Sequence, residues 1–587
     1  MSTEKSPVAL AAMDWVAQLD HVALRAVMTD DDVDLKPEEG QNPEFVFRQG
    51  REGEDTSKVA IHAQMKAIYT SDWFWALAAL CPNNRLWWGG KTTDLDKRRP
   101  GAPIHYPDYL MLFLICLAGV KGIATLNAAA AHVRDPETWA NLVAHMDQYV
   151  PEGWTLLSEL PRRNPKKKRW ANPTLAVAQT ARTDRTKPRG RRRTSNVIPL
   201  RKPLTKPPSP STLDYWVRRF RGLDLKNHPL PSTHEYHGLR DAIHTMFRKV
   251  SMDQAQAMGV LNADQKFIYG RPDRNQFIGF DGVVFAAPRT GTRETVGTYP
   301  TGTGHAAKGT KYGIYSTRVD GQRHSRVILD FAHIHGALPG SYTSEQDVME
   351  KLTLPLAALS DGGAKGLLVD SAARGTLVTR LQRHGLIVVN YPHAKSNPGA
   401  GEGKRWADGR EEKTHLLRVE THENHFGANC EHLIYAVGGE LMEVLHTGAG
   451  TYALKPVTHI KYESRGNRHN GTRREYHVIN ITCAHGNDFE RRISLFHTDS
   501  VSNDPEFNRG EYVRVYPPGS AASKYLYGAR NDTEARHADL KARAKYLPAD
   551  RDGQMLRLLG AAIASNAFSW QVHLQAHGEN NVIDNTA

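Results

Sequence analysis

The sequence predicts a multidomain protein in which an α/β layer is interrupted by a mostly β insertion and preceded by a mostly helical region. Three observations carry this. From about residue 275, strand-like runs such as QFIGFDGVVFAAP, SRVILDFAHIH and LIVVNYP alternate with helical runs, which argues for helices layered on a sheet. Between 395 and 520 the apolar residues fall in short alternating runs such as EHLIYAVGGELMEVLH and REYHVINITCAH, the period of half-buried strands. Residues 1–160 instead carry long apolar runs without alternation, and 587 residues exceed what a single core organises.

Taken in order, residues 1–160 read as helical around SDWFWALAAL and YPDYLMLFLICLAGVKGIATLNAAAAHV, with an acidic, loop-like stretch at Thr29–Asp55. Pro107 suits a helix start, and Gly119 and Gly122 punctuate the end of that helix. The helix, turn and helix near 108–133 fit either a helix-turn-helix reader of DNA or a packed helical pair. Residues 161–210 read as a flexible basic linker, since PKKKR, RGRRR and repeated prolines offer little apolar surface to bury. Trp170 within it would anchor onto a neighbouring domain or stack on a base. Helices resume over 211–270, a DNA-binding or connecting region, with Ser211 as the expected N-cap. The first part of the core spans 271–394, with Asp281 inside one strand and Asp370 ending the short strand GLLVD. TSEQDVMEKLTLPLAALS forms a helix capped by Thr343 or Ser344, and a further helix spans Arg374–His384. The β insertion follows at 395–520, and 521–587 completes the core with helices.

Charge gives the first functional indication. Between Pro161 and Lys206 sixteen Lys or Arg stand against one acid, Asp184, so this stretch alone exceeds the chain's net charge of +13 and the remainder is nearly neutral. A basic segment of that density fits a polyanion such as nucleic acid, with a solvated linker as the alternative. The longest apolar run, Tyr109–Val120, is twelve residues, short of the ~20 that cross a bilayer. No secretory pattern opens MSTEKSPVAL, and only four cysteines are present. The expectation is therefore a soluble intracellular protein without a membrane or a disulfide framework.

The P-loop, zinc-protease and serine-hydrolase signatures GxxxxGK[ST], HExxH and GxSxG are absent. What remains are carboxylates at strands. Asp281 and Asp370 stand among apolar neighbours, where an unpartnered carboxylate is costly. Converging carboxylates are natural ligands for divalent cations in phosphoryl chemistry, while capping a loop or pairing with an arginine is the alternative for each alone.

Downstream the chain reads Tyr527-Gly-Ala-Arg530-Asn-Asp-Thr-Glu534-Ala-Arg-His-Ala-Asp-Leu-Lys541. Tyr, two residues, Arg, three, Glu, six, Lys resembles the YREK signature of bacterial insertion-sequence transposases of the DDE type, in the RNase H-like, retroviral-integrase superfamily. The resemblance covers about 275–575. It implies an RNase H-like core with catalytic, metal-binding Asp281, Asp370 and Glu534. Asp330, ending VILD, is the rival carboxylate. It also implies two magnesium ions, for which manganese substitutes, and DNA contacts from Tyr527, Arg530 and Lys541. The expected reaction is cleavage at transposon ends followed by strand transfer into target DNA. The expected partners are double-stranded DNA and a second copy of the chain, in the bacterial cytoplasm on the nucleoid. If Tyr527–Lys541 is one helix, the four signature residues share a stripe; an Arg530–Glu534 surface pair is the bland reading. The family's aromatic shortly after the second Asp has no counterpart in Asp370-Ser-Ala-Ala-Arg-Gly. Trp406 either stacks on a flipped base, as insertion-domain tryptophans do in hairpin-forming relatives, or packs inside the insertion. The alternatives are an RNase H-like nuclease that cuts without joining, and a domesticated DNA-binding protein that no longer cuts.

A second constellation lies in the insertion. Cys430 and His432, and Cys483 and His485, are each two apart, so on paired strands they would face one side and offer a zinc site. Buried free cysteines are the alternative.

Overall fold

A computed structural model describes residues 56–86, 106–123, 125–160, 162–164, 169–171, 207–287, 294–300, 306–322, 324–392, 405–406, 414–424, 426–448, 451–466, 473–495, 510, 512–518, 520–545 and 547–584. The acidic stretch 29–55 and most of the basic segment 161–206 lie outside them. In chain order come α1 (Thr56–Tyr69), α2 (Asp72–Ala78), α3 (Asp108–Ala118), α4 (Leu126–His132) and α5 (Pro136–Met146). A short ribbon of β1 (Arg162–Asn164) and β2 (Arg169–Ala171) opens the segment read as a linker, pairing Arg163 with Trp170. Then follow α6 (Pro210–Phe220), α7 (Leu239–Ala257), β3 (Phe277–Ala286), β4 (Gly297–Pro300), β5 (Ala306–Arg318) and β6 (Arg326–Ile334). Next are α8 (Glu345–Ala358), β7 (Gly366–Leu368), α9 (Gly375–Arg383) and β8 (Ile387–Val389). The insertion carries β9 (Arg405–Trp406), β10 (Thr414–Glu423), β11 (Asn429–Val437), β12 (Glu440–Gly448), β13 (Thr451–Pro456), β14 (Thr458–Gly466), β15 (Arg473–Thr482) and β16 (Asp488–Ser494). The chain ends on α10 (Ala521–Gly528), α11 (Asn531–Arg543) and α12 (Arg551–Asp584).

The described residues fall into two compact units. One lies within Met1–Val250, Pro288–Arg293 and Asp539–Ala587, the other within Ser251–Ala287 and Glu294–Ala538. Apart from the β1–β2 ribbon, the first unit is helical among the described residues. All eleven residues of α3 are buried, as an all-apolar helix with only Asp108 polar requires. Small residues let it approach α12: a Cβ on Gly119 would stand 2.5 Å from Ala561 Cα, and one on Gly560 2.5 Å from the Ile115 carbonyl. This packing explains why α12 belongs with the N-terminal helices and not, as the sequence suggested, with the α/β core. It also favours the packed pair over the DNA reader for 108–133, since α3 is enclosed and α4 (LNAAAAH) carries no Lys or Arg. In α6 the N-cap is Ser209, not Ser211: its hydroxyl accepts from Thr212 N at 3.1 Å and Pro210 takes the first helical position, where a missing N–H costs nothing. Among the described residues no helix is long and apolar enough to cross a membrane.

Asp108 sits in the first turn of α3, fully buried, accepting hydrogen bonds from Tyr236 Oη (2.9 Å to each oxygen) and Asn83 N (2.9 Å). Burial outweighs these donors and raises its pKa to about 7. The folded state therefore holds a proton that the unfolded chain, with a carboxyl pKa of about 3.9, gives up. The associated stability is complete below about pH 4 and is lost as pH climbs towards 7. Urea unfolding at pH 5 and pH 8 checks this: Asp108→Asn is expected to lose less stability between the two than the wild type.

The second unit is built on a six-stranded sheet. Its main path runs β6-β5-β3-β7-β8, with β4 pairing the start of β5. β3, β5 and β6 pair antiparallel, whereas β3, β7 and β8 run parallel. β7 and β8 (GLL and IVV) are buried throughout, as expected of parallel strands covered on both faces, although β8 ends the path. Helix α8 joins β6 to β7, capped by Ser344 Oγ accepting from Asp347 N, and α9 joins β7 to β8. β5, thirteen residues long and paired on both sides, was not anticipated from the sequence. The insertion forms two further sheets, β10-β11-β12-β13-β9 and β14-β15-β16.

Candidate active site

The sheet register brings two acids together. β3 pairs in parallel with β7, Gly279 opposite Leu368, so two residues further along each chain Asp281 and Asp370 reach the same level. Asp281 is still on β3 and takes Gly282 N at 2.8 Å on Oδ1. Asp370 lies just past β7, where its Oδ1 accepts from Ala372 N at 2.8 Å and turns the chain towards α9. Both are partly exposed, so their carboxylates reach solvent and any bound ligand.

The loop that carries Asp370 is fixed from behind. Asn390, at the end of β8, donates its amide to the carbonyls of Asp370 (3.2 Å) and Ala373 (3.3 Å). Arg514, with no exposed surface, donates Nε to Asn390 Oδ1 at 2.7 Å and an Nη to the carbonyls of Val513 (2.9 Å) and Gly510. On the Asp281 side, Gly282 leaves room for Glu345, whose Oε1 would stand 1.7 Å from a Cβ there and which pairs with Lys311 at 2.8 Å.

The Tyr-Arg-Glu-Lys residues do not share one helix. Tyr527 is near the end of α10, Arg530 lies in the turn, and only Glu534 and Lys541 belong to α11. Gly528 closes α10 and the chain restarts at Asn531, so the expected single stripe is broken. Tyr527 and Arg530 nevertheless meet, the guanidinium donating to the phenol oxygen at 3.3 Å, while the Tyr527 ring stands edge-on to Tyr391 at 4.7 Å. Burial opposes the charge on Arg530, but Tyr527 and the carboxylates of Asp281 and Asp370 outweigh it, and its pKa is raised. Burial likewise raises the pKa of Tyr527, Arg530 pulling it back and Asp370 adding to it. Tyr527, Arg530, Asp281 and Asp370 therefore form one electrostatic group.

Glu534 is exposed on α11, and among the described residues its side chain makes no hydrogen bond or ion pair; the surface pair with Arg530 is not formed. One helical turn later, on the same face, His537 Nδ1 stands 4.0 Å from Asp281 Oδ2. Lys541 is exposed in the last turn, beyond the boundary of this unit. Trp406 pairs with Tyr452 in the β9–β13 bridge, and its side chain lies outside the described residues. Asp330 is on β6, buried and separated from β3 by β5, which removes it as a rival to Asp281. Sequence reasoning missed His537, Asn390 and Arg514. The i+3 spacing from Glu534 was a usable signal for His537; the other two act through contacts 20 and 124 residues away along the chain.

In the insertion, Cys430, Cys483 and His485 come together with ligand atoms within 4.8 Å of one another. His432 belongs to a second group, with His422 and Cys483. The four residues expected to form one set are thus joined through Cys483.

No protein-family model and no curated protein matches this chain.

Proposed function

We propose that this chain is a DDE transposase with an RNase H-like core, cutting DNA at the ends of a mobile element and joining them to target DNA. The observation that carries the reading is the pair Asp281 and Asp370, level with each other on neighbouring parallel strands and both felt by Arg530, with Glu534 on the helix that also brings His537 to Asp281. The strand order, three antiparallel strands followed by two parallel ones through helices, supports the fold part of the reading.

Hard carboxylate oxygens from three elements, one of them on an exposed glutamate with no ion pair among the described residues, suit a hard divalent cation. Asp281, Asp370 and Glu534 would hold magnesium or manganese, which would supply Lewis-acid chemistry at phosphorus. The protein's own groups do the positioning. Arg530 offers a guanidinium to a phosphate oxygen, with its orientation set by the Tyr527 hydroxyl. Lys541, seven residues beyond Glu534 on α11, offers a second cation to the DNA backbone. His537 stands beside the Asp281 carboxylate, its Nδ1 4.0 Å from Oδ2, and Asn390 holds the Asp370 loop. Water attacks phosphorus at the element's end, the 3′ oxygen leaves, and the freed 3′-hydroxyl then attacks a target phosphodiester in the same way. The basic segment 161–206 supplies charge for duplex DNA, and two ends call for two copies of the chain.

The test is conversion of labelled duplex carrying the element's ends, with magnesium and a target plasmid. Joined product is expected. Cleavage without joining would leave a nuclease, and binding without cleavage a DNA-binding protein; either overturns the transposase reading. Asn390→Ala is expected to slow the reaction about 10- to 100-fold, as removal of a supporting partner of a metal ligand does. Duplex binding, followed by fluorescence anisotropy, is expected to stay unchanged.

A further inference from the structure

We infer that the insertion binds one transition-metal ion, zinc by its donor set, on Cys430, Cys483, His485 and His432. The inference is independent of the reaction proposed above. Its basis is convergence of soft ligands from two different sheets. Cys430 is on β11, opposite His422 of β10. Cys483 follows β15, and His485 lies in the tight turn that joins β15 to β16, closed by Cys483 N to the Asn487 carbonyl at 2.9 Å and by Gly486 in the left-handed region. The His485 Nδ1 stands 3.3 Å from Cys430 Sγ and 3.5 Å from Cys483 Sγ. Thiolate and imidazole at these separations surround a point accessible to all three, and together they prefer zinc to magnesium or calcium.

His432 supplies the second observation. It is 5% exposed, and its Nδ1 lies 2.5 Å from Glu443 Oε1, so the carboxylate fixes the ring and leaves Nε2 to face inwards. That Nε2 has no hydrogen-bond partner among the described residues. A buried imidazole nitrogen without a partner is costly in an apolar setting but is what a ligand awaiting its metal presents. A carboxylate on the far nitrogen is the arrangement that orients metal-binding histidines. His432 and His422 have ligand atoms within 4.8 Å of Cys483, so Cys483 links His432 to the Cys430–His485 pair in a set of two sulfurs and two nitrogens. The ion would tie the β10–β13 sheet to the end of β15, a cross-link between the two sheets of the insertion.

The experiment is metal analysis and cobalt substitution on the full-length protein purified under reducing conditions without added chelator. The expected result is about one zinc per chain, replaceable by cobalt with the visible bands of a tetrahedral site and thiolate charge transfer. Cys483→Ser is expected to abolish stoichiometric zinc, and His432→Asn to weaken its retention against a competing chelator at least about tenfold. Cys81→Ser, in the other unit, is expected to leave the metal content unchanged. In case a ligand variant fails to fold, the wild type alone provides a second readout. Cys430, partly exposed, should resist a thiol reagent until a zinc chelator is added. Substoichiometric zinc with a freely reactive Cys430, a disulfide between Cys430 and Cys483, or zinc retained equally by folded Cys483→Ser would each overturn the proposal.

Discussion

Asp281→Asn, Asp370→Asn and Glu534→Gln are each expected to lower the rate of DNA strand cleavage at least about a thousandfold, roughly 4 kcal/mol in the barrier, while duplex binding is retained. Each change is nearly isosteric and removes one charge from a group whose members act together. The double variant Asp281→Asn/Asp370→Asn should therefore be little worse than either single. Single-turnover cleavage of labelled duplex measures this, with anisotropy for binding. A variant that cleaves at a rate near wild type would remove that residue from the site. Arg530→Ala is expected to be milder, since it leaves the carboxylates in place, and its cost should appear in cleavage more than in binding.

The largest expected effect on stability comes from Arg514→Leu. The side chain is fully enclosed, and its removal leaves the Asn390 side-chain oxygen and the carbonyls of Val513 and Gly510 without their donor. Unsatisfied buried acceptors and an imperfectly filled space together cost on the order of 3 kcal/mol. Urea unfolding followed by circular dichroism should show a lower midpoint, and Arg514→Lys should not restore it, because one ammonium cannot reproduce the planar fork. The same change frees Asn390, so the fraction that remains folded should also cleave slowly. An unchanged midpoint would contradict this account of what holds the Asp370 loop.

The two aspartates were legible because each stands in or beside an unmistakably apolar strand, FIGFDGVVF and GLLVD. The strand between them and β6 was not. β5 reads AAKGTKYGIYSTR, and its glycines look like turn signals. In the fold they mark close approach instead: a Cβ on Gly309 would lie 2.0 Å from the Phe285 carbonyl, and one on Gly313 2.8 Å from the Phe280 ring. Glycine there serves packing across the sheet, which one strand's sequence does not display. The 3, 4, 7 spacing from Tyr527 to Lys541 suited a single helix, yet Gly528 and the turn at Arg530 divide it, and Arg530 gains its approach to both aspartates from that break. In the insertion, Cys430, Cys483 and His485 come together, but His432, which the i+2 spacing put beside Cys430, groups with His422 and Cys483 instead. His432 pairs with Glu443 across a strand register that only the folded sheet reveals.

The central claim is that Asp281, Asp370 and Glu534 act as ligands of a hard divalent ion during DNA cleavage. Asp370→Cys tests it most directly, because a thiolate ligand suits manganese better than magnesium. Wild type should cleave with either ion. The variant should be inactive with magnesium and recover a substantial part of its rate with manganese. Equal activity of the variant in both metals, or cleavage by the wild type in the absence of any divalent ion, would contradict the account.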